Sequence, residues 1–284
     1  MSIKMKNLLT HLQHPNSTKD YQAEDEADAI KISEYWGRRT YQNQKPKISF
    51  ELFPPKSDSA NKLLKKTHQK LSEINPDYFS VTFGALGLSQ NDTFDTVADL
   101  SENTKIPIIP HLTCVGIDKK QVTDLLDEYI AQGVNQIMVL KGDYPKTIIK
   151  KGDFNYANEM VEFIKENYFD INILVAAYPE KHPHSNCIST DIDFFLNKVN
   201  AGADKAVTQY FYNIDAYLHF IEEVQKRNID IPITPGIMPI TNYDQLIYLS
   251  KTCGAEIPSW ILNKLKLYKN DLNSLKEFGE QELM

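Results

Sequence analysis

Residues 48–56 read Ile48-Ser49-Phe50-Glu51-Leu52-Phe53-Pro54-Pro55-Lys56, an apolar strand pattern with one acid near its end and two prolines after it. Two successive prolines cannot continue a ladder of strand hydrogen bonds, so the strand should stop soon after Glu51. In a parallel α/β fold, ligands bind at that end of the strands. A carboxyl group buried among apolar side chains is costly to ionise, so Glu51 is a candidate proton donor. The alternative is a solvated charge on an edge strand, because charged residues are mostly exposed.

The chain from residue 47 onward repeats a unit of strand, loop and amphipathic helix, with a spacing of roughly 30 residues that is typical of consecutive βαβ units. After Asp118, with Gln121 three residues on, apolar residues recur at helical spacing until Gly133 ends the helix. A second helix of this kind follows Asp215. The predicted strands begin near Ile48, Tyr78, Ile106, Gln136, Ile173, Ala206 and Ile233.

These strands are rich in Val, Ile, Phe and Tyr without strict alternation, which suits a parallel sheet covered on both sides. Seven units favour a (β/α)8 TIM barrel in the α/β class, with an open doubly wound sheet as the alternative. The count is one strand short, because the chain after Tyr243 continues in a helical pattern through Trp260 and Leu265 without another strand pattern. We therefore expect a TIM barrel that is incomplete at its C-terminal end.

Two regions are predicted. Residues 1–46 form an N-terminal extension with a polar start, an acidic run at Glu24-Asp25-Glu26 and one helix through Tyr35 and Trp36. We expect the early part of this extension to be mobile. Residues 47–284 form the catalytic barrel domain.

Composition excludes several classes of function. A chain of 284 residues with 42% hydrophobic and 24% charged residues can build a sizeable globular core. The net charge of -7 argues against a nucleic-acid surface, which needs a basic field. No apolar run reaches transmembrane length, and no secretion signal is present, so no membrane partner is expected. Three widely spaced cysteines fit reduced thiols in the cytoplasm.

Common catalytic motifs are absent from the sequence. No Gly-x-Gly-x-x-Gly follows a strand and no Walker loop is present, which argues against a Rossmann fold and a P-loop kinase. No nucleophile elbow supports Ser-His-Asp chemistry. His182-Pro183-His184 with Cys187 could suggest a metal site, but the spacing matches no zinc motif, so no metal is expected.

Polar or unusual residues follow each predicted strand, as they do around a barrel active site. In strand order they are Glu51; Thr82 and Gly84; His111 and Thr113; Lys141-Gly142-Asp143; Tyr178; Gln209; and Pro235-Gly236.

Seven motifs at these strand ends resemble, in order, those of the methylenetetrahydrofolate reductase family. The resemblance covers about residues 47–260, and seven motifs in the right order make it specific. They are Phe50-Glu51-Leu52-Phe53-Pro54-Pro55-Lys56, Ser80-Val81-Thr82-Phe83-Gly84-Ala85, Pro110-His111-Leu112-Thr113-Cys114, Leu140-Lys141-Gly142-Asp143, Ala176-Ala177-Tyr178-Pro179-Glu180, Ala201-Gly202-Ala203-Asp204 and Thr208-Gln209-Tyr210-Phe211.

The resemblance implies a TIM barrel that holds FAD without a Rossmann motif. Such an enzyme reduces 5,10-methylenetetrahydrofolate to 5-methyltetrahydrofolate with NADH or NADPH, and supplies methyl groups for methionine synthesis. The expected partners are these small molecules alone, and we expect a homo-oligomer.

The family's roles carry over to matching positions. Glu51 matches the general acid, Asp143 the acid that contacts the pterin and influences the flavin, and Gln209 the amide that orients pterin or nicotinamide. Tyr243 matches an aromatic over the substrate; the alternative is a core aromatic on a helix that begins at Thr241. The implied FAD-binding residues are Thr82, His111, Lys141, Gly142, Asp143, Tyr156, Ala157, Tyr178, His182, Asp191, Lys198 and Ala203, with Thr82 also among the substrate-binding residues.

The sequence departs from the family pattern at three places. Lys141 stands where an arginine is common, which keeps the charge but loses a two-pronged donor. Asn197 occupies a position where a relative carries a basic residue, and no eighth-strand motif follows Glu280. Two other interpretations therefore stay open: a catalytically impaired, truncated copy that serves as a flavin-binding or structural subunit, and a barrel lyase or aldolase that uses Glu51 and Asp143 without flavin.

Overall fold

The structure, a computed structural model, describes residues 46–83, 90–142 and 152–282. Residues 1–45 of the predicted N-terminal extension lie outside these ranges, and so does the candidate acid Asp143. The placement of the extension's helix therefore stays a prediction.

The described chain alternates strands with helices. The strands are β1 (Ser49–Leu52), β2 (Tyr78–Val81), β3 (Ile108–Thr113), β4 (Gln136–Leu140), β5 (Asn172–Ala177), β6 (Lys205–Tyr210) and β7 (Ile233–Gly236). The helices are α1 (Asp58–Ser72), α2 (Gln90–Glu102), α3 (Lys119–Ala131), α4 (Ala157–Asn167), α5 (Ile188–Asn200), α6 (Ile214–Lys226), α7 (Tyr243–Cys253), α8 (Ser259–Tyr268) and α9 (Leu272–Glu282).

Local sequence signals account for most element boundaries. Asp118 and Gln121 form the capping box at the start of α3, as the sequence predicted, because each side chain accepts a hydrogen bond from the other residue's backbone N–H. The predicted start of β3 at Ile106 was early by two residues, since the ladder begins only after Pro107, which has no N–H to donate. The helix predicted from Thr241 begins at Tyr243, where the Asn242 side chain caps it.

All seven strands pair in parallel in the order β1-β2-β3-β4-β5-β6-β7. A doubly wound sheet would reverse its strand order at a switch point, so that alternative was wrong. Sequential order is instead the winding of a TIM barrel. Among the described residues no ladder joins β1 to β7, so the sheet has two edges there.

The two faces of the sheet carry different side chains. One face packs against the helices in the main core, to which Leu52, Phe79 and Ile108 contribute. Successive residues of a strand point to opposite faces, and the next residue of β3, Ile109, belongs to a separate small cluster with Met138 and Leu174. This second cluster identifies the inner face of the sheet, where barrel enzymes place their sites.

The chain after β7 forms three helices with a core of their own. The buried members of this core are Ile240, Leu246, Ile261, Leu265, Leu275 and Phe278. No strand follows β7 within the described residues, as the sequence predicted. The backbone of α9 closes tightly on the segment after β7, because a Cβ added at Gly279 would lie 2.3 Å from the Ile240 carbonyl oxygen.

This close approach gives a stability prediction. Alanine usually stabilises an exposed helix position by about 1 kcal/mol relative to glycine. We expect Gly279→Ala to act in the opposite sense and to lower the free energy of unfolding by about 1–3 kcal/mol, because α9 must move away from Ile240. Urea denaturation measures the change, and Glu280→Ala at the neighbouring exposed position is the control. Unchanged or increased stability of Gly279→Ala would contradict this packing.

Candidate functional site

Glu51 lies on β1, on the face opposite to the helix core. Phe50 and Leu52 on either side of it pack into that core, so alternation directs Glu51 to the inner face. Its side chain keeps 52% of its surface exposed, but protein atoms displace enough water around the carboxyl group that burial raises the pKa of Glu51. Glu51 therefore shares a feature with each of the two alternatives. It lies on an edge strand, as a solvated charge would, but its charged form is disfavoured, as a proton donor requires.

His111 on β3 is a titratable neighbour of Glu51. Its Nε2 lies 3.9 Å from Glu51 Oε2, beyond hydrogen-bonding distance. The ring is buried, and Nε2 has no hydrogen-bond partner among the described residues. Burial lowers the pKa of His111 to about 4. The imidazole is therefore neutral near pH 7, and the pair is not a salt bridge.

Thr82, just beyond the end of β2, adds a second unsatisfied group at this edge. Its Oγ1 is buried without a described hydrogen-bond partner, although its backbone oxygen accepts from Thr93 Oγ1 at 3.0 Å. Buried polar groups normally have partners, and one that does not is a candidate ligand contact.

The residues around the end of β4 also come together. Lys141 Nζ lies 5.0 Å from the centre of the Tyr156 ring, a cation–π distance. Gly142 has a φ of 80°, and a Cβ there would lie 2.8 Å from Thr113 Cβ, so this position requires glycine. Ala157 follows Tyr156 as the first, buried residue of α4.

The loop after β5 and helix α5 together carry four of the predicted cofactor residues. The Tyr178 and His182 rings meet edge to face with centres 4.8 Å apart. Asp191 Oδ2 accepts a 3.0 Å hydrogen bond from the His182 backbone N–H, and Asp191 Oδ1 accepts a 2.7 Å bond from Ser185 Oγ. These bonds tie the start of α5 to the loop before it.

Lys198 is the fourth member of this group. Its Nζ donates a 2.5 Å hydrogen bond to the Ala176 backbone oxygen and lies 6.0 Å from the centre of the Tyr178 ring. Burial lowers the pKa of Lys198 to about 8, although the charge of Asp191 opposes the shift. Lys198 is therefore a cation that lacks full charge compensation within the protein.

Gln209 lies at the end of β6. Its Oε1 accepts a 3.0 Å hydrogen bond from the Tyr210 backbone N–H. The resemblance implies that this amide orients pterin or nicotinamide, but its oxygen already accepts a bond from the backbone. The amide nitrogen is the group left for another contact.

Two predicted residues, Ala203 and Tyr243, are not brought to this group, and a third is not among the described residues. Ala203 precedes β6, so it lies at the amino end of the strand, opposite to the other residues. Tyr243 starts α7, where its ring lies 4.9 Å from Lys269 Nζ and packs against the core of the last three helices. This packing agrees with the core-aromatic alternative for Tyr243. Asp143 lies outside the described ranges.

Sequence reasoning missed two polar residues of the site. Ser185 bonds Asp191, and Glu180 holds a buried carboxyl oxygen without a described partner. Glu180 lies within a quoted motif, so a carboxylate directly after Tyr178-Pro179 was an available signal. Ser185 carries no local signal, because a serine between loop histidines is ordinary.

Within the described part of the chain, no group of three or more His, Cys, Asp or Glu side chains could hold a metal ion. None of its helices is long and apolar enough to cross a membrane.

Comparison with known proteins gives concordant matches. The sequence profile of the family "Methylenetetrahydrofolate reductase" matches residues 37–284. A 5,10-methylenetetrahydrofolate reductase of Buchnera aphidicola subsp. Schizaphis graminum is 37% identical over 237 residues, which cover 84% of this chain and 80% of the relative. The protein of the same description from Escherichia coli K12 is 32% identical over 232 residues, with 82% and 77% covered.

Solved structures support the fold. A protein from Clostridium thermocellum, described as binding two copies of 5-methyl-5,6,7,8-tetrahydrofolic acid, superposes with a TM-score of 0.55 at 18% identity. The alignment covers 88% of this chain and 86% of that protein. At this identity the likeness concerns the fold alone.

Burial of neutral His111 predicts a pH dependence of stability. A histidine in the unfolded chain has a pKa of about 6.5, so it binds a proton below that pH. In the folded chain His111 binds this proton only near pH 4, and the difference favours the unfolded chain between these two pH values. Stability should therefore fall as pH decreases through this window, and by pH 5 His111 should account for a loss of about 2 kcal/mol. Urea denaturation at pH 7 and pH 5 should show this loss in the wild type and a smaller one in His111→Gln. Equal losses in both proteins would contradict the buried neutral state.

Proposed function

This chain belongs to the methylenetetrahydrofolate reductase family, and we propose that it reduces 5,10-methylenetetrahydrofolate to 5-methyltetrahydrofolate, with FAD as cofactor and NADH or NADPH as reductant. The observation that carries the proposal is the placement of Glu51, an acid with a raised pKa at the carboxyl end of β1, next to a neutral buried imidazole. That arrangement suits a proton donor that works near neutral pH.

The inner edge of the sheet fits a flavin. Thr82 Oγ1 and His111 Nε2 are buried polar atoms without described partners, as expected of atoms that bond a ligand. Around them, the residues that would hold FAD are Lys141, Gly142, Tyr156, Ala157, Tyr178, His182, Asp191 and Lys198. FAD, when bound, supplies the two-electron chemistry that connects nicotinamide oxidation to folate reduction.

Lys198 has the electrostatic character needed for an anionic part of the cofactor. Its ammonium group is buried, and desolvation lowers its pKa to about 8. A phosphate nearby would favour the charged ammonium and would satisfy its remaining donors. His182 lies in the loop before α5, and its backbone N–H bonds Asp191 on the same helix as Lys198.

The role of Glu51 follows from its surroundings. Opening of the methylene bridge leaves a folate nitrogen that must take up a proton, and Glu51 donates that proton from its carboxyl group. A charged imidazolium 3.9 Å away would stabilise the carboxylate, lower the pKa of Glu51 and leave less of the acid protonated near neutral pH. Because burial keeps His111 neutral, Glu51 keeps its raised pKa.

Three further residues complete the proposed site. Gln209 orients the pterin or nicotinamide through its N–H donors, since its oxygen bonds the Tyr210 backbone. Asp143 contacts the pterin, as the family pattern implies. Tyr243 can cover the substrate only if its ring gives up the cation–π contact with Lys269. Because that contact is lost, we expect Tyr243 to contribute less to substrate binding than Gln209 does.

Visible absorption of the purified protein tests the whole assignment. With FAD added and excess removed, we expect a yellow protein that NADH or NADPH bleaches under anaerobic conditions. Addition of methylenetetrahydrofolate should then restore the absorbance. A protein that stays colourless would contradict flavin binding and favour the lyase or aldolase interpretation. Flavin that bleaches but is never reoxidised by folate would favour a non-catalytic copy.

Glu51→Gln tests the proton donor. Since glutamine cannot donate the proton, we expect folate reduction to fall by about 10²–10⁴-fold while NADH still bleaches the flavin. In the wild type the rate of folate reduction should decline as pH rises through the raised pKa of Glu51, because the acid loses its proton. The variant should lack this decline.

Glu102→Gln, at the exposed end of α2, is the matched control and should leave folate reduction unchanged. Wild-type rates of folate reduction in Glu51→Gln would exclude Glu51 as the acid.

A further inference from the structure

Glu180 is a half-buried acid to which the family pattern gives no role. It lies in the loop after β5, where its Oε2 accepts a 2.8 Å hydrogen bond from the Glu256 backbone N–H. Its Oε1 is buried and has no partner within the described ranges. An acceptor left in this state is costly, and it usually indicates a contact that another group completes.

A small cavity borders both Glu180 and Gln209, a residue of the proposed substrate site. It has a volume of about 10 Å³ and is lined by Tyr178, Glu180, Gln209, Tyr210 and Gly254, among others. This space is close to the smallest that holds one water molecule. Groups on its walls can therefore bond directly after a small rotation, or through a single water.

Gln209 lines this space, and its amide group carries hydrogen-bond donors. Its Oε1 must be the atom that faces the Tyr210 backbone N–H, because that N–H can only donate. Its amide nitrogen then carries two N–H groups, and neither bonds a described residue. The residue with an unpartnered acceptor, Glu180, and the residue with unpartnered donors, Gln209, thus line the same cavity.

We propose that Glu180 is a positioning residue for Gln209: its Oε1 accepts a hydrogen bond from one N–H of the Gln209 amide, directly or through one water, and so sets the direction of the second N–H. This inference rests on the proposed function for the identity of the ligand, the ring of the folate. The second N–H then meets that ring with a fixed orientation.

Packing between two loops restricts the position of Glu180. Gly254, between α7 and α8, has a φ of 80°, and a Cβ there would lie 3.0 Å from Pro183 Cγ. The α7–α8 loop therefore packs directly on the loop after β5. This contact keeps the Glu256 N–H on Oε2 and leaves Oε1 for Gln209.

Glu180→Gln separates positioning from a merely structural role. Glutamine keeps the shape and can still accept from the Glu256 N–H through its oxygen, but it turns an N–H toward the donors of Gln209. We expect KM for methylenetetrahydrofolate to rise about tenfold, with unchanged flavin content and melting temperature. Glu180→Ala, which also loses the bond to the loop, should lower the melting temperature as well. A wild-type KM in Glu180→Gln would overturn the proposal.

A double-mutant cycle tests whether Glu180 acts through Gln209. If it does, Glu180→Gln should have little further effect on KM in a Gln209→Ala background, so the two effects are far from additive. Additive effects would overturn the proposal, because they would mean that Glu180 acts by another route. Glu166→Gln, at an exposed position on α4, is the control for the chemical change alone.

A third measurement is independent of turnover. In ¹⁵N-labelled, flavin-free protein, the Gln209 side-chain NH₂ resonances can be assigned by their loss in Gln209→Ala. We expect them to shift in Glu180→Gln and to stay in place in Glu166→Gln. Resonances that do not move in Glu180→Gln would overturn the coupling, even if the folate assays succeed. Shifted resonances without folate turnover would support the coupling and reject the proposed reaction instead.

Discussion

Parallel pairing of the seven strands is the constraint from which the site follows. Each ladder joins a strand to the next one in sequence, so all carboxyl ends meet at one edge of the sheet. Glu51, His111 and Gln209 come from strands that are far apart in the chain, yet they share this edge. The alternation of strand residues then directs one set of side chains into the helix core and the other toward the inner face. Chemistry and stability thereby use different residues of the same strands.

A single physical cause, loss of water around ionisable groups, tunes the site in two directions. It raises the pKa of the Glu51 carboxyl group and lowers the pKa values of His111, to about 4, and Lys198, to about 8. Burial disfavours whichever form is charged, so it favours a protonated acid, a neutral imidazole and a lysine that gains from an anionic ligand. No ion pair links Glu51 to a permanent cation in the described structure, and one would have cancelled the effect on the acid.

The sequence predicted those features that depend on short-range rules. The strand that ends after Glu51 and the capping box of α3 follow from proline chemistry and N-cap geometry, and both were found. Features that depend on three-dimensional packing could not be predicted. Only the coordinates show that His111 Nε2 has no hydrogen-bond partner among the described residues. The same is true of the hydrogen bond that Gln209 Oε1 accepts from a backbone N–H. Motif order alone also could not show that Ala203 lies at the opposite end of its strand.

Unsatisfied polar atoms mark the site more sharply than residue type does. Four buried side-chain atoms lack partners in the described structure, and three of them belong to Thr82, His111 and Glu180 near the carboxyl edge of the sheet. The fourth, His68 Nε2, lies on α1, where its ring packs 4.6 Å from Phe79. Each such atom costs about 1–3 kcal/mol, so the folded protein carries a penalty that a ligand can remove at Thr82 and His111 and that the proposed bond to Gln209 removes at Glu180. The hydrogen bonds that Thr82 and His111 lack in the folded protein are therefore bonds that a ligand can supply. In this way the unsatisfied atoms connect the fold to its proposed function.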